Sequence, residues 1–362
     1  MDLNAFMNEG VDDILKTARH YYTRSFRGTR YLAHAAKAMM HAVRLRSSHE
    51  KSGLHVPPFL IASIASECNL DCVGCYAHAF GTIGDAAGRR ELSAAAWEKV
   101  FLEAERLGVS FILLAGGEPT MRRDVIEMAA SHPDIIFPIF TNGTLLDDSY
   151  RKLFDDHRNL IPLFSIEGTD GQTDARRGAG VAAQVRSSME HFSERGILWG
   201  ISLTATTENV DVVTDDAFVR ELYGRGCGTI IYNEFVPVQK GTAHLALDLE
   251  RHNALMARMD ELARDPAYEN MVTIAFPGNE ELMGGCLAAG RGFFHIAQDG
   301  AIEPCPFSPF SVANIIEVGL EGALRSPFFE RVREIEAAHS EEHMGGCTLF
   351  LHENEVRLAM QQ

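Results

Sequence analysis

The sequence predicts an α/β fold in the form of an open, partial (β/α)6 barrel. Short apolar runs fit buried strands, and helical stretches lie between most of them. Strands that alternate with helices indicate parallel β-α units, with chemistry at the carboxyl ends of the strands. Six units are too few for a closed eight-fold barrel. The six predicted strands are 59–64, 111–114, 135–140, 162–166, 198–205 and 229–235.

The connecting segments carry helix signals. Ser93 is the predicted N-cap of a helix over Ala94–Leu107, and Gly108 is its predicted stop. After about residue 241 the character of the chain changes. Three elements are predicted there: an amphipathic helix over Leu247–Arg264, a hairpin over Gly292–Glu303 with a type I′ turn at Asp299-Gly300, and one helix over Leu320–Glu336.

These patterns divide the chain into three predicted parts: an N-terminal helical segment (1–55), the partial barrel (56–242) and a small C-terminal α+β domain (243–362). Residues 1–52 hold nine Lys and Arg against five acids. We expect a basic helical cover on the barrel. A surface helix that meets an anionic membrane or an acidic partner is less favoured, because the apolar face is mostly Ala and Met.

Net charge and cysteine content reduce the number of protein classes to which the chain can belong. A formal net charge of -17 argues against a general nucleic-acid binder. The acidic N-terminal residues are not expected to act as a secretory signal, and no apolar run in this sequence is long enough to span a membrane. Seven cysteines, an odd number, favour metal or catalytic thiolates over a disulfide scaffold. The predicted location is the cytoplasm.

Three cysteines follow the first predicted strand with the spacing C-x3-C-x2-C: Cys68, Cys72 and Cys75. Thiolates suit zinc or iron–sulfur centres. Structural zinc normally takes four protein ligands, so three ligands leave one metal position open. A Cys3His zinc site that includes the nearby His78 is the alternative.

This loop, followed by the aromatic Tyr76, resembles the cluster loop of the radical S-adenosylmethionine (SAM) superfamily. The resemblance implies that Cys68, Cys72 and Cys75 are the catalytic and metal-binding residues and hold a [4Fe-4S] cluster to which SAM binds. Further strand ends match the family in order. Gly116, Gly117, Glu118 and Pro119 are similar to its GGEP segment, and Thr141 and Asn142 end the third strand. Ser165 and Glu167, with Arg177 in the segment Asp174–Gly178, resemble the next motif, in which Asp is usual at the position of Glu167. The resemblance also implies cofactor contacts at Ser202, Thr204, Asn209, Tyr232 and Val238.

A second cysteine set lies in the C-terminal part, at Cys286, Cys305 and Cys347. Its spacing is similar to the auxiliary-cluster extensions called SPASM and twitch. The dense cysteine run of full SPASM domains is absent after Cys305, so the resemblance implies a twitch-like domain with a second [4Fe-4S] cluster. A side chain such as His343, His352 or Glu353, a water molecule or the substrate would complete its ligands. Three unrelated buried cysteines are the alternative.

The resemblance implies an oxidoreductase-type or rearrangement enzyme that reductively cleaves SAM and abstracts a hydrogen atom from a small-molecule or peptide substrate. The auxiliary cluster would bind the substrate or accept an electron. Flavodoxin or ferredoxin is the expected electron donor. The rival hypothesis is a non-catalytic iron–sulfur or zinc protein that senses redox state or carries electrons.

Four other features give weaker signals of function. Cys227 has no partner spacing and is predicted to be a packed core thiol. His339-Ser-Glu-Glu-His343 matches a short zinc-protease pattern, although a solvated helix end is favoured. His295 is expected to be structural rather than catalytic, and Arg291 is a weak candidate for a substrate anion.

Overall fold

The protein is described by a computed structural model that covers residues 3–84, 91–276, 285–339 and 347–361, with side chains described from residue 10. Within these ranges, no helix combines the length and apolar composition needed to cross a membrane.

One nine-stranded sheet organises the chain. Its strand order is β7-β6-β5-β4-β3-β2-β1-β8-β9, and all neighbours are parallel except the antiparallel β8–β9 hairpin. The sheet is open, and helices lie between its parallel strands, which confirms the predicted α/β class and partial barrel. The strands are β1 Phe59–Ala65, β2 Phe111–Gly116, β3 Phe137–Thr141, β4 Leu160–Ser165, β5 Gly200–Ala205, β6 Thr229–Glu234, β7 Val272–Phe276, β8 His295–Ile296 and β9 Ile302–Glu303.

Two long helices precede the sheet, and shorter helices follow its strands. Three single turns of 3-10 helix cover Pro119–Met121, Ala243–Leu245 and Pro266–Tyr268. The α-helices are α1 Leu3–Tyr22, α2 Phe26–Lys51, α3 Tyr76–Ala79, α4 Ala94–Leu107, α5 Arg123–Ala130, α6 Asp148–Asp156, α7 Asp170–Arg177, α8 Val181–Glu194, α9 Val210–Val213, α10 Asp216–Gly224, α11 Leu249–Arg264, α12 Ile315–Leu324, α13 Pro327–Ala338, α14 Thr348–Leu351 and α15 Glu353–Ala359.

Local caps explain where α4 begins and ends. The Ala96 N–H donates to the Ser93 hydroxyl at 3.2 Å, and Gly108 adopts a left-handed φ of 89° that stops the helix. Both features were predicted. A Cβ atom at Gly108 would also lie 2.7 Å from the Ala42 carbonyl oxygen of α2. Both the left-handed φ and the lack of space therefore require glycine at this position.

The hydrophobic core lies on both faces of the sheet. The larger cluster packs strands against the surrounding helices through rings such as Trp97, Phe101 and Trp199. The second cluster lies inside the barrel, where α1 and α2 residues such as Tyr22 and Met39 contact the amino-terminal ends of the strands. The basic N-terminal helices therefore cover the end of the barrel opposite the cysteine loop.

Two predicted details of the C-terminal part are wrong. Leu320–Glu336 is divided between α12 and α13, because Pro327 starts a new helix at its first position. The β8–β9 turn is not type I′, which needs positive φ at both central residues. Only Gly300 has it, at 87°, while Asp299 does not. The sheet also contains β7, which was not predicted.

Candidate active site

The first cysteine loop connects β1 to α3 at the carboxyl edge of the sheet. Cys75 is the N-cap residue of α3, and its N–H donates to the Cys72 carbonyl at 3.2 Å. Two hydrogen bonds between Val73 and Arg176 attach the loop to α7: the Val73 N–H donates to the Arg176 carbonyl, and the Arg176 guanidinium donates to the Val73 carbonyl at 3.1 Å. Cys68, Cys72 and Cys75 are all half-buried.

The three thiols influence one another electrostatically. Burial raises the pKa of Cys68 to about 11, and the Glu118 carboxylate and the Cys72 and Cys75 thiols add to that rise. Burial also raises the pKa of Cys72, opposed first by the Arg177 guanidinium. Three partly shielded sulfur donors in one short loop fit a thiolate-bound cluster, in which metal replaces the thiol protons. His78, the fourth ligand of the alternative zinc site, contacts Asp71 at 3.5 Å.

Glu118 joins the ends of β2 and β3. Its buried carboxylate accepts hydrogen bonds from the N–H and hydroxyl of Thr120, from the Thr141 hydroxyl at 2.7 Å and from the Asn142 N–H at 2.7 Å. Burial raises the pKa of Glu118, whereas these donors oppose the rise. The Glu118 carboxylate thus accepts its hydrogen bonds from within the protein, and it links the GGEP segment to Thr141 and Asn142.

Gly117 lies directly against the cysteine loop. A Cβ atom at Gly117 would come within 2.0 Å of the Glu67 carbonyl oxygen, which only glycine avoids. The Gly117 N–H donates to the Ala65 carbonyl and the Glu118 N–H to the Glu67 carbonyl, both at 2.8 Å. The GGEP backbone therefore supports the chain immediately before Cys68, and Pro119 turns it into a short 3-10 helix.

Asn142 connects the third strand to the same loop. Its side-chain amide donates to Oδ1 of the Asn69 side chain at 2.9 Å, and the Asn69 side-chain amide donates to the Thr144 hydroxyl at 2.8 Å. Asn69 lies between Cys68 and Cys72. The sequence did not single out Asn69 as a contact, because its partner is far away along the chain.

Glu167 joins the next two strands to α7. Its buried carboxylate contacts the guanidinium groups of Arg176 at 2.6 Å and Arg177 at 2.5 Å, and it accepts from the Thr204 N–H at 3.2 Å. The Asn209 amide donates to the carbonyls of Glu167 and Thr204. These contacts bring together four of the predicted site residues: Glu167, Arg177, Thr204 and Asn209.

The remaining predicted cofactor residues have different surroundings. Ser165 ends β4 half-buried, and the Ser202 hydroxyl accepts from the Asn233 amide at 2.8 Å. The Tyr232 side chain is fully buried on the helix side of β6, where its hydroxyl donates to the Val213 carbonyl at 3.0 Å. Val238 is half-buried beyond the strand. The Tyr232 ring thus belongs to the core, which leaves only its backbone for a ligand.

The second cysteine set is buried. Cys286, Cys305 and Cys347 have 8%, 2% and 6% of their surface exposed. The segments that carry Cys286 and Cys305 are joined by a hydrogen bond, because the Ala289 N–H donates to the Pro304 carbonyl at 3.1 Å. Arg291 donates to the carbonyls of Gly285 and Cys286, so it holds this segment in place. Of the suggested fourth ligands, Glu353 is paired with Arg357, and His343 lies outside the described residues.

Tyr76 links the first cysteine loop to the segment that carries Cys305. Its ring lies 5.1 Å from that of Phe307, two residues after Cys305. Burial raises the pKa of Tyr76, and both Cys75 and Cys305 add to the rise.

Cys227 lies outside both cysteine sets. Its thiol is fully buried and donates to the Thr229 carbonyl, and burial raises the pKa of Cys227 to about 12. It is the core thiol that was predicted.

A buried chain of three polar side chains connects β1 to the C-terminal hairpin. The Ser63 hydroxyl lies 2.8 Å from His295 Nε2, and His295 Nδ1 lies 2.7 Å from the Glu303 carboxylate. The His295 ring thus bridges the Ser63 hydroxyl and the Glu303 carboxylate, with one partner at each ring nitrogen. The sequence pointed to His295 alone, because Ser63 and Glu303 carry no local signal.

The fold and the cysteine loop place the chain in a known class. Residues 63–217 match the family model described as the radical SAM superfamily, so this part of the chain is a radical SAM domain. That family implies a [4Fe-4S] cluster and SAM as the cofactors of the domain.

Particular relatives are distant. The chain is 25% identical over 326 residues to mycofactocin maturase MftC of Mycobacterium ulcerans, covering 82% of this chain and 84% of the relative. It is 29% identical over 212 residues to Fe-coproporphyrin III synthase of Methanosarcina barkeri, covering 55% of this chain and 52% of the relative.

A similar fold occurs in SuiB of Streptococcus suis, solved bound to S-adenosylmethionine. The TM-score is 0.67 at 19% identity, covering 89% of this chain and 79% of SuiB. SuiB has also been solved bound to the precursor peptide SuiA, with a TM-score of 0.63 at 19% identity, covering 84% of this chain and 72% of that one.

Proposed function

We propose that the protein reductively cleaves SAM at a [4Fe-4S] cluster held by Cys68, Cys72 and Cys75 and abstracts a hydrogen atom from a substrate. The observation that carries this proposal is the placement of three thiols in one loop, braced by the GGEP backbone and by Asn142. When bound, such a cluster supplies the single electron that cleaves the sulfonium of SAM.

The strand-end residues would bind and orient SAM. The backbone carbonyls of Gly116 and Gly117 are suited to the ammonium group of SAM because no side chain shields them. Ser165, Ser202 and Thr204 offer hydroxyl groups to its ribose and carboxylate. Arg177 offers positive charge near the carboxylate, although Glu167 already balances part of it. The segment from Tyr232 to Val238 would pass along the adenine through backbone and apolar contact.

A twitch-like domain over residues 243–362 would hold a second [4Fe-4S] cluster through Cys286, Cys305 and Cys347. The ring contact between Tyr76 and Phe307 supports a substrate position between the two cysteine sets. The second cluster would bind the substrate or accept an electron from it, with flavodoxin or ferredoxin supplying electrons in the cytoplasm.

A small peptide is the substrate class that we favour over a free small molecule. MftC carries the name of a maturase and matches most of both chains. SuiB, which shares the fold, binds a precursor peptide.

The proposal is tested on anaerobically reconstituted protein. Two four-iron clusters predict about seven to eight iron atoms per chain. Reduction in the presence of SAM should release 5′-deoxyadenosine. Cys72→Ala should abolish the release and remove about half of the iron, whereas Cys227→Ala, which changes a core thiol outside both sets, should retain both. Clusters without 5′-deoxyadenosine release would favour the electron-carrier hypothesis instead.

A further inference from the structure

A cavity of about 520 Å³ lies at the amino-terminal end of the barrel, opposite the cysteine loop. It is formed between the start of α2 and the carboxyl ends of α5 and α6. Its volume is within the range of about 300–1,000 Å³ that is usual for small-molecule sites. Its lining includes three arginines and two histidines but only one carboxylate: Arg27, Arg30, Arg158, His34, His157 and Asp156.

The arginines beside this cavity outnumber their carboxylate partners. Three guanidinium groups contact the Asp155 carboxylate: those of Arg27 at 3.2 Å, Arg158 at 2.7 Å and Arg195 at 2.5 Å. The Asp156 carboxylate is also shared, between Arg27 at 2.7 Å and Lys152. Four cations thus meet two carboxylates, which leaves two positive charges uncompensated.

Arg158 is the buried member of this group. Its side chain is 3% exposed, and burial lowers the pKa of Arg158, to which the neighbouring charges of Arg195 and Arg27 add. Its Nε has no hydrogen-bond partner among the residues that the structure describes. Buried charges in proteins are normally fully paired. A guanidinium that shares one carboxylate with two others is poorly compensated, and an anion in the cavity would supply the missing negative charge.

The start of α2 adds further positive charge. Arg27 and Arg30 lie in its first two turns, and its first turn contains no acidic residue. The helix dipole favours anions at this end and disfavours cations. Arg195, the C-cap residue of α8, is placed favourably by the same rule. Arg30 is exposed and forms no ion pair within the described part of the chain, so its charge remains available to a ligand.

We propose that this cavity binds a small molecule that carries a phosphate monoester. Such a group has a charge of about −1.5 to −2 at neutral pH, which matches the two uncompensated positive charges. Guanidinium groups bind phosphate oxygens through paired N–H donors. The net charge of -17 on the whole chain opposes extended polyanions such as nucleic acid and favours a compact ligand. The ligand connects the start of α2 to the end of α6, and the proposal does not depend on the radical chemistry.

The test is calorimetric titration of the full chain with its iron–sulfur clusters reconstituted, with glycerol 3-phosphate, inorganic phosphate and acetate as probes. We expect one glycerol 3-phosphate per chain, displaced by inorganic phosphate. Acetate should bind at least about tenfold more weakly, because it carries a single charge. Added salt should weaken the binding of all three probes. No binding of glycerol 3-phosphate, or an equal affinity for acetate, would overturn the proposal.

Two variants separate the cavity from the general charge of α2. Arg30→Gln removes an exposed cation of the lining and should weaken glycerol 3-phosphate binding about tenfold or more. Arg44→Gln is the matched control, because Arg44 is an exposed arginine of the same helix, about 21 Å further along and outside the lining. It changes the net charge equally and should leave the affinity unchanged within about twofold. Equal losses in the two variants would contradict the proposal. Neither variant should alter the iron content, so this result is independent of the cluster assignment.

Discussion

The rings of Tyr76 and Phe307 lie 5.1 Å apart with an interplanar angle of 57°. Tyr76 follows the last cysteine of the first set, and Phe307 follows Cys305 by two residues. Phe307 also stacks on Phe276 at 6.1 Å. This aromatic contact connects the end of β7, the cysteine loop and the C-terminal hairpin.

Phe307→Ala should lower the free energy of unfolding by about 2 kcal/mol, less than for a fully buried phenylalanine, because Phe307 is half-buried. Urea unfolding measures the change. Phe26→Ala is the control, since Phe26 is 85% exposed, and it should change stability by less than about 0.5 kcal/mol. Equal effects of the two substitutions would show that the contact contributes nothing.

Gly117→Ala should disturb the first cysteine loop. The new methyl group would overlap the Glu67 carbonyl oxygen, which is 2.0 Å from its position, so the backbone before Cys68 must shift. Reconstituted protein should then lose about half of its iron, measured by metal analysis. Gly171→Ala is the matched control, because nothing lies within 4 Å of its Cβ position. Full iron content in Gly117→Ala would refute this account of the loop.

Glu167→Ala should destabilise the protein by about 3 kcal/mol, because it leaves the charges of Arg176 and Arg177 unpaired in partly buried surroundings. Chemical denaturation measures this loss. Glu127→Ala removes the exposed pair with Arg123 and should cost at most about 1 kcal/mol. The ion-pair argument fails if the two losses are similar.

His295→Ala should cost about 3 kcal/mol, since it leaves the buried Glu303 carboxylate and Ser63 hydroxyl without their partner. The double variant with Glu303→Gln should be less destabilised than the sum of the single losses, because the same contact is removed only once. Thermal or urea unfolding of the four proteins gives the coupling. Additive losses would mean that His295 and Glu303 do not interact.

Asp174 should make stability depend on pH. The N–H groups of Ala182 and Gly180 donate to its carboxylate at 2.8 and 2.9 Å, which lowers the pKa of Asp174. A depressed folded-state pKa stabilises the protein above the unfolded value of about 3.9, and this stabilisation is lost as the pH falls through the folded pKa. Asp174→Asn should therefore melt at a lower temperature at pH 7.

The melting difference between Asp174→Asn and the parent should shrink on acidification below about pH 3.9. Glu127→Gln serves as a control, because among the residues that the structure describes this exposed carboxylate pairs with the Arg123 side chain and accepts no backbone N–H. A difference that is constant from neutral to acid pH would exclude the carboxylate charge as its cause.

Local signals predicted much of the fold. Ser93 and Gly108 bound α4 through contacts within a few residues, and the first six strands are apolar runs between turn residues. The cysteine and GGEP segments are also contiguous, so their motifs are visible in the chain. β7 was missed because its five residues are all half-buried and its pairing with β6 depends on the finished sheet.

The partners of the site residues were not predictable. Ser63 meets His295 across 232 positions, and Asn69 meets Asn142 across 73. Such contacts arise when separate strands end at one edge, which no local pattern records. Likewise, His339 and His352 become neighbours only because α13 packs beside α15.

The pairing of β8 with β1 has a consequence for how the protein admits a substrate. Ile61 and Ala62 of β1 pair with His295 and Ile296, so the hairpin before Cys305 and the strand before Cys68 belong to one hydrogen-bonded ladder. A hinge cannot part the two segments without breaking that ladder. Substrate entry by separation of these two segments is therefore disfavoured, and amide hydrogens of Ile61 and its neighbours should exchange as slowly in the presence of substrate as in its absence.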